Sequence, residues 1–190
     1  YGENPHQQSA IYSIDGDVKI KKIQGKHLSY NNYNDIFSAL KISKSLPKNT
    51  GSVIIKHSNP SGVSIKNNNL DSYKSALACD PISAYGGVVS CNFKISKSIA
   101  IELDKIFFEI IIANGFQKDA LEIFKSKKNL RLIDASNYLI NDNLKFDSND
   151  KSILVQSEDN NIFNKKDFKI VSQKKPNKSQ FENLIFAFNI

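Results

Sequence analysis

Apolar positions along the first 135 residues fall into short blocks with two alternating spacings. From Ser9 to Gly25, SAIYSIDGDVKIKKIQG alternates apolar and polar residues around Asp15-Gly16, which predicts a hairpin. After SYNNYN, with Asn34 as the expected cap, Ile36, Phe37, Leu40 and Leu46 draw a helical stripe that ends at Pro47. GSVIIKH (51–57) predicts a short buried strand, stopped by the Asn59-Pro60 turn and the glycine that follows it. LDSYKSALACDP predicts a helix closed before Pro81, and GGVVSCNF a strand. SKSIAIELDKIF then reads as helix, FEIIIAN as buried strand, QKDALEIFKSKKN as amphipathic helix and LRLIDA as a last strand. The order β-α-β-α-β-α-β-α-β predicts an α/β layered domain over residues 1–135. Residues 136–178, rich in Asn, Asp and Lys, read as a connecting region with weaker strands at SILVQ and FKIVSQ. An apolar helix begins at Ser179 and fills residues 179–190, and a helix so apolar needs a partner surface.

Composition narrows the class. A chain of 190 residues with 40% hydrophobic residues can bury the core of one ordinary domain or of one domain with an appendage. No window approaches the roughly 18 consecutive apolar residues of a membrane span, and the start, YGENPHQQ, has no basic stretch leading into an apolar one. A cytoplasmic location without membrane partners is therefore expected. The net charge of +7 is carried almost wholly by lysine, with Arg131 the only arginine, and is spread along the chain, so nucleic acid is not the expected partner. The two cysteines, Cys79 and Cys91, form no C-x-x-C pair, which argues against a disulfide framework and a cysteine zinc site; no metal is expected. The chain contains no methionine, even at position 1, and is expected to be a fragment of a longer one.

Candidate chemistry concentrates in IIKHSNPSG (54–62). Successive residues of a strand face opposite sides, so Lys56 and His57 can serve one pocket only where regular pleating ends. A histidine exchanges protons near neutral pH, and an adjacent cation suits the pair to acid–base work. His6 and His27 have no such setting. CDPISAYGG (79–87) places two glycines between a helix and a strand, where backbone can approach a ligand closely. Neither G-x-G-x-x-G nor G-x-x-x-x-G-K-[ST] occurs, which disfavours dinucleotide and P-loop readings.

Taken together, YGENPHQ, KHSNPSG, SALACDPISAYGG and FFEIIIANGF followed by ALEIFKSKKNLRLI resemble, in order and spacing, the formyltransferase domain of the bifunctional purine biosynthesis enzymes, which join AICAR formyltransferase to IMP cyclohydrolase. NLIFAFNI is similar to the family helix that leads into the second half of that domain, so the resemblance covers essentially the whole chain. It implies the first of two cytidine-deaminase-like α/β units, without a zinc site. It also implies transfer of a formyl group from the co-substrate 10-formyltetrahydrofolate to the 5-amino group of AICAR, with His57 taking the amine proton and Lys56 assisting proton transfer and stabilising developing negative charge. Tyr1, His57, Gly86 and Glu109 match family positions that contact AICAR, and Asn59 lies inside the same motif. Ser61 stands where many members have cysteine, so no thiol is required there. The resemblance further implies a homodimer for the full-length protein, a cyclohydrolase region upstream and an inactive isolated fragment, because the second unit completes the folate and AICAR sites. Two alternatives are a nucleoside-deaminase-type hydrolase, which would bind zinc, and a catalytically silent lysine-rich binding module, which would bind RNA with a steep salt dependence.

Overall fold

A computed structural model describes residues 2–13, 16, 18–140 and 144–190. The chain divides into two units, Tyr1–Ile140 and Asn141–Ile190. In the first unit the elements are β1 (Lys21–Gln24), α1 (Tyr30–Ser45), β2 (Gly51–Lys56), β3 (Asn59–Ile65), α2 (Asn69–Cys79), β4 (Val88–Cys91), α3 (Lys97–Asp104), β5 (Ile110–Ala113), α4 (Lys118–Phe124) and β6 (Arg131–Asp134). Six strands form one mixed sheet in the order β1-β6-β5-β4-β2-β3. Strands β4, β5 and β6 are parallel, joined by α3 and α4 as crossover helices. β2 runs antiparallel to both β4 and β3, and β1 antiparallel to β6. This is the α/β class that the order of sequence elements predicts.

Alternation along the strands sorts the core into two layers. Ile54, Val89, Cys91, Ile111, Ala113 and Leu132 pack with Tyr73 and Ala76 of α2, Ile99 and Leu103 of α3, and Ala120 and Phe124 of α4. The intervening residues Val53, Ile55, Val88, Ser90, Ile110 and Ile112 are equally buried and point to the other face. There α1 supplies Ile36, Ala39 and Leu40, each at most 1% exposed, and the Ser43 and Ser90 hydroxyls are 2.7 Å apart. Each large aliphatic side chain buried in this way contributes about 1.5–3 kcal/mol. The sheet is therefore covered by α1 on one face and by α2, α3 and α4 on the other.

Two backbone junctions fix these layers. Asn92, 3% exposed, accepts the Thr50 and Gly51 N–H groups on Oδ1 at 3.0 and 2.8 Å. Its Nδ2 donates to the carbonyls of Ser43, Leu46 and Pro47 at 3.0, 3.3 and 2.9 Å. One side chain thus satisfies carbonyls left over at the end of α1 and pins the start of β2 beside them. At the far edge, α2 rests directly on β3: a Cβ on Gly62 would collide with the Ala76 carbonyl.

Several expectations are corrected. The N-cap of α1 is Ser29, five residues before Asn34, because Ser29 and Asn32 form a reciprocal box: Ser29 Oγ accepts the Asn32 N–H and Asn32 Oδ1 accepts the Ser29 N–H. Asn59-Pro60 does not end the chain's extended path; it opens β3. Proline is tolerated because β3 is an edge strand and Pro60 lies at the register shift opposite Ile55. The expected hairpin over residues 9–25 falls partly on Ile14, Asp15 and Asp17, outside the described residues. Of the rest, residues 9–13 are not strand, and β1 pairs with β6 instead.

In the second unit, β7 (Leu144–Asn149) and β8 (Ser152–Ser157) form an antiparallel hairpin whose turn has Asp150 at φ 52°. SILVQ lies in β8, whereas FKIVSQ forms no strand and follows a 3-10 turn at Lys165–Asp167. α5 (Lys178–Phe188) is capped by Asn177, and the Phe188 ring meets Phe163 and Phe168 edge-on at 5.3 and 5.1 Å between centroids.

Candidate active site

β2 is buried through Ile55 and emerges at Lys56, where the sheet ends. Lys56 pairs with Asn59, so the loop between them is two residues long, and both of those residues have positive φ: His57 at 52° and Ser58 at 61°. Positive φ at both centres is the type I′ geometry that matches the twist of a two-residue hairpin, and it is ordinarily built from Asn-Gly or Gly-Gly. Each non-glycine residue in this region costs about 1–2 kcal/mol, so local bonds must offset a few kcal/mol of strain. They are present. Asp35, on α1, accepts the Ser58 N–H at 2.7 Å and the Ser58 hydroxyl at 3.4 Å, and Asn59 Nδ2 donates to the His57 carbonyl at 2.8 Å. A short bond to a carboxylate contributes about 1.5–3 kcal/mol, comparable to the strain.

The strand-end break therefore lies at His57–Ser58 and not at Asn59-Pro60. The imidazole of His57 is carried by the turn and exposed. Lys56, the last pleated residue, is half-buried and directs Nζ across β4's entry loop to the Tyr85 carbonyl at 2.9 Å. That carbonyl immediately precedes Gly86, whose φ of 73° only glycine adopts freely and whose N–H donates to the Phe107 carbonyl at 2.8 Å. The same loop contains Asp80, whose carboxyl is held below the usual range chiefly by hydrogen bonds from Ser83, with a smaller contribution from the Lys56 charge. Tyr85 and Phe107 flank Gly86 as exposed rings with centroids 5.4 Å apart.

Glu109 sits one residue before β5, on the next strand over. Its N–H donates to the Gly87 carbonyl at 3.0 Å, and its carbonyl accepts the Arg131 N–H at 3.1 Å. Its carboxylate is half-exposed, 3.7 Å from Arg131 Nη1 and 3.4 Å from Asn32 Nδ2. Arg131 is held in turn by donating from Nε to the His27 carbonyl at 3.1 Å. Lys56, Gly86 and Glu109 thus line the end of the sheet where β2 ends and β4 and β5 begin, Lys56 joined to the Gly86 loop by its ammonium and that loop to Phe107 and Glu109 by backbone bonds. Asn59 pairs with Lys56 and spends its amide on the turn. Tyr1 lies outside the described residues.

Three polar residues that the sequence did not single out hold this end of the sheet together. Asn32 and Asp35 are one turn apart on α1, the first bonded to Glu109 and the second to the Ser58 turn; Arg131 backs Glu109 from β6. The one sequence signal was a polar residue on the helix face that also carries Ile36, Ala39 and Leu40: Asn32 is 5% exposed. A separate cavity of about 390 Å³, lined by Ile11, Leu28, Tyr30, Tyr33 and Phe37 among others, opens on the other flank of α1 and contains none of the predicted site residues. Among the described residues there is no group of three or more His, Cys, Asp or Glu side chains that could hold a metal ion, and no helix is long and apolar enough to cross a membrane. Cys91 is fully buried and its thiol is pushed up to about 12 by that burial, whereas Cys79 is exposed.

Chemically, this end of the sheet offers an exposed imidazole, an ammonium, backbone approached closely at a glycine, and a carboxylate braced by a guanidinium. The model of the family described as AICARFT/IMPCHase bienzyme matches residues 1–190. The bifunctional purine biosynthesis protein PurH of Clostridium acetobutylicum is 43% identical over 194 residues, a match covering 100% of this chain and 38% of that protein. PurH of Leptospira biflexa serovar Patoc is 40% identical over 191 residues (100% and 37%), and that of Acetivibrio thermocellus 38% over 198 residues (100% and 38%). The chain thus spans somewhat over a third of the length of these curated relatives.

Proposed function

The chain belongs to the AICARFT/IMPCHase bienzyme family, and from that premise we propose that it forms the first, cytidine-deaminase-like unit of an AICAR formyltransferase domain, followed by the linking segment. The parent protein would transfer the formyl group of 10-formyltetrahydrofolate to the 5-amino group of AICAR, giving FAICAR, and would carry IMP cyclohydrolase activity elsewhere in its length. It would work as a cytoplasmic homodimer on small-molecule substrates. The second formyltransferase unit would complete the AICAR and folate sites. The observation that carries the reading is the end of β2: Lys56 is its last paired residue and His57 the first of the turn, with the Lys56 ammonium on the carbonyl next to Gly86.

The reaction needs this pairing. The AICAR amine is a weak nucleophile because its lone pair is delocalised into the imidazole and carboxamide. As its nitrogen bonds to the formyl carbon, an N–H proton must leave, and His57 accepts it. The formyl oxygen gains negative charge in the tetrahedral intermediate, and the Lys56 ammonium stabilises that charge. The intermediate collapses by breaking the bond to the folate nitrogen, which departs as a neutral amine once a proton is returned to it through the same pair. Gly86 would let the substrate lie close to backbone, and Glu109, which Arg131 braces, would accept hydrogen bonds from AICAR.

Steady-state kinetics of the full-length protein test the assignment. His57→Ala and Lys56→Ala should each lower kcat by about 10²- to 10⁴-fold with the fold intact. Because the two groups serve one proton-transfer event, the double variant should lose little more than the worse single variant. A single variant that kept near-full kcat at saturating AICAR and folate would remove that residue from the mechanism.

A further inference from the structure

We infer that Asp35 is a positioning residue for formyl transfer: from α1 it holds the left-handed His57–Ser58 turn and thereby fixes the direction of the His57 imidazole. The inference rests on the functional reading above for its consequence, although its geometry stands independently. His57 and Ser58 both occupy positive φ without the glycine or asparagine that ordinarily stabilises a two-residue hairpin of this type. Sequence alone would let this pair relax toward negative φ. Rotating φ at His57 swings its Cβ, and with it the ring, away from the direction set by the end of β2, while Lys56 stays anchored on the Tyr85 carbonyl.

What opposes the relaxation comes from outside the hairpin. Asp35 Oδ1 accepts both the Ser58 N–H, at 2.7 Å, and the Ser58 hydroxyl, at 3.4 Å. Asp35 immediately precedes Ile36, which is fully buried, and shares its helix with Ala39 and Leu40, so the carboxylate stands on a rigid base. It lies six residues into α1, too far from the N-terminus to act as a cap; Ser29 and Asn32 already fill that role. The carboxylate is accounted for by the turn, and the turn by the residue it presents.

The test uses the full-length protein with four measurements. Asp35→Ala should lower kcat by about 10- to 100-fold, the scale of a small misplacement of a reacting group, while KM for AICAR moves by less than about 3-fold. Asp35→Asn keeps an oxygen that accepts the Ser58 N–H and should stay within about 3-fold of the unsubstituted kcat. Adding Ser58→Gly to Asp35→Ala should restore most of the lost kcat, because glycine takes positive φ without a Cβ penalty. Amide exchange at Ser58 should quicken in Asp35→Ala, confined to residues 56–59, and return toward the original rate in Asp35→Asn. An Asp35→Ala variant with kcat within about 3-fold of the original overturns the inference, as does a loss that Ser58→Gly fails to restore. Should the unsubstituted protein transfer no formyl group, the functional reading falls by itself and Ser58 exchange still decides the positioning role: quickened exchange in Asp35→Ala supports it and unchanged exchange overturns it.

Discussion

Replacing Asn92 by alanine should destabilise the first unit about as much as truncating a fully buried leucine or isoleucine, although it removes no large apolar group. The side chain is 3% exposed and serves five backbone groups. Alanine leaves the Gly51 N–H buried without a partner, the Thr50 N–H partly so, and removes a donor from the Ser43, Leu46 and Pro47 carbonyls, of which Pro47 keeps the Thr50 hydroxyl at 2.8 Å. A buried group left unpaired costs about 1–3 kcal/mol, and taking the two N–H groups near the middle of that range, with a smaller contribution from the carbonyls, gives about 3–5 kcal/mol in all. Urea unfolding followed by far-UV circular dichroism measures it; the chain has no tryptophan, so fluorescence is the weaker probe. Asn92→Asp separates the two halves of the network. Aspartate still accepts both N–H groups, but its ionised form turns a carboxylate toward three carbonyl oxygens, so at neutral pH it should be no more stable than Asn92→Ala. Burial and those oxygens raise the aspartic acid's folded pKa above its unfolded value. Its stabilising, protonated form is then fully populated below the unfolded pKa and lost as pH rises through the folded one, so Asn92→Asp should recover stability as pH falls while Asn92→Ala does not. An Asn92→Ala variant within about 1 kcal/mol of the original, or an Asn92→Asp variant as stable as the original at pH 7, would refute the reasoning.

Gly62→Ala should cost about 1–3 kcal/mol, because the new methyl meets the Ala76 carbonyl and must push α2 off β3; a melting temperature unchanged within about 1 °C would count against that packing. In a native-state thiol titration near pH 8, Cys79 should react and Cys91 should not, since burial holds its thiol at about 12; two thiols should react in urea. Equal rates for both thiols in the folded protein would contradict the assigned burial.

Much of the first unit was readable as pattern. Short, β-branched apolar runs at Val53–Ile55, Val88–Val89 and Ile110–Ile112, set between glycine- or polar-rich breaks, match buried strands, and the longer amphipathic stretches between them match helices. The sequence misled where local chemistry imitates something else. Asn59-Pro60 looks like a turn but lies on an edge strand that tolerates proline, while the true turn is His57–Ser58, whose residue types do not advertise positive φ. β7 leaves little trace in the sequence because Asp147, Ser148 and Asn149 dilute the alternation of Leu144 and Phe146. At the candidate site, Lys56, His57, Gly86 and Glu109 could be named from motifs contiguous in sequence. Asn32, Asp35 and Arg131 could not, since their relevance arises only when α1 and β6 are folded against residues up to 77 positions away.

The pairing of β1 with β6 sets an order of assembly. Lys21 stands opposite Asp134, and Gln24 reaches Phe124 and Lys127 with its side-chain amide, so the strand of this sheet that comes earliest in the chain waits for the one that comes latest. During synthesis at about 5–20 residues per second, the roughly 110 residues between them keep β1 without its partner for about 5–20 s. Strands β2 to β5 and their helices have shorter loops to close and can form before it docks. A released chain ending near residue 115 should therefore already protect β2 and β4 from exchange while β1 remains open, making the edge next to β5, and not the hairpin edge at β3, the surface a chaperone would have to guard.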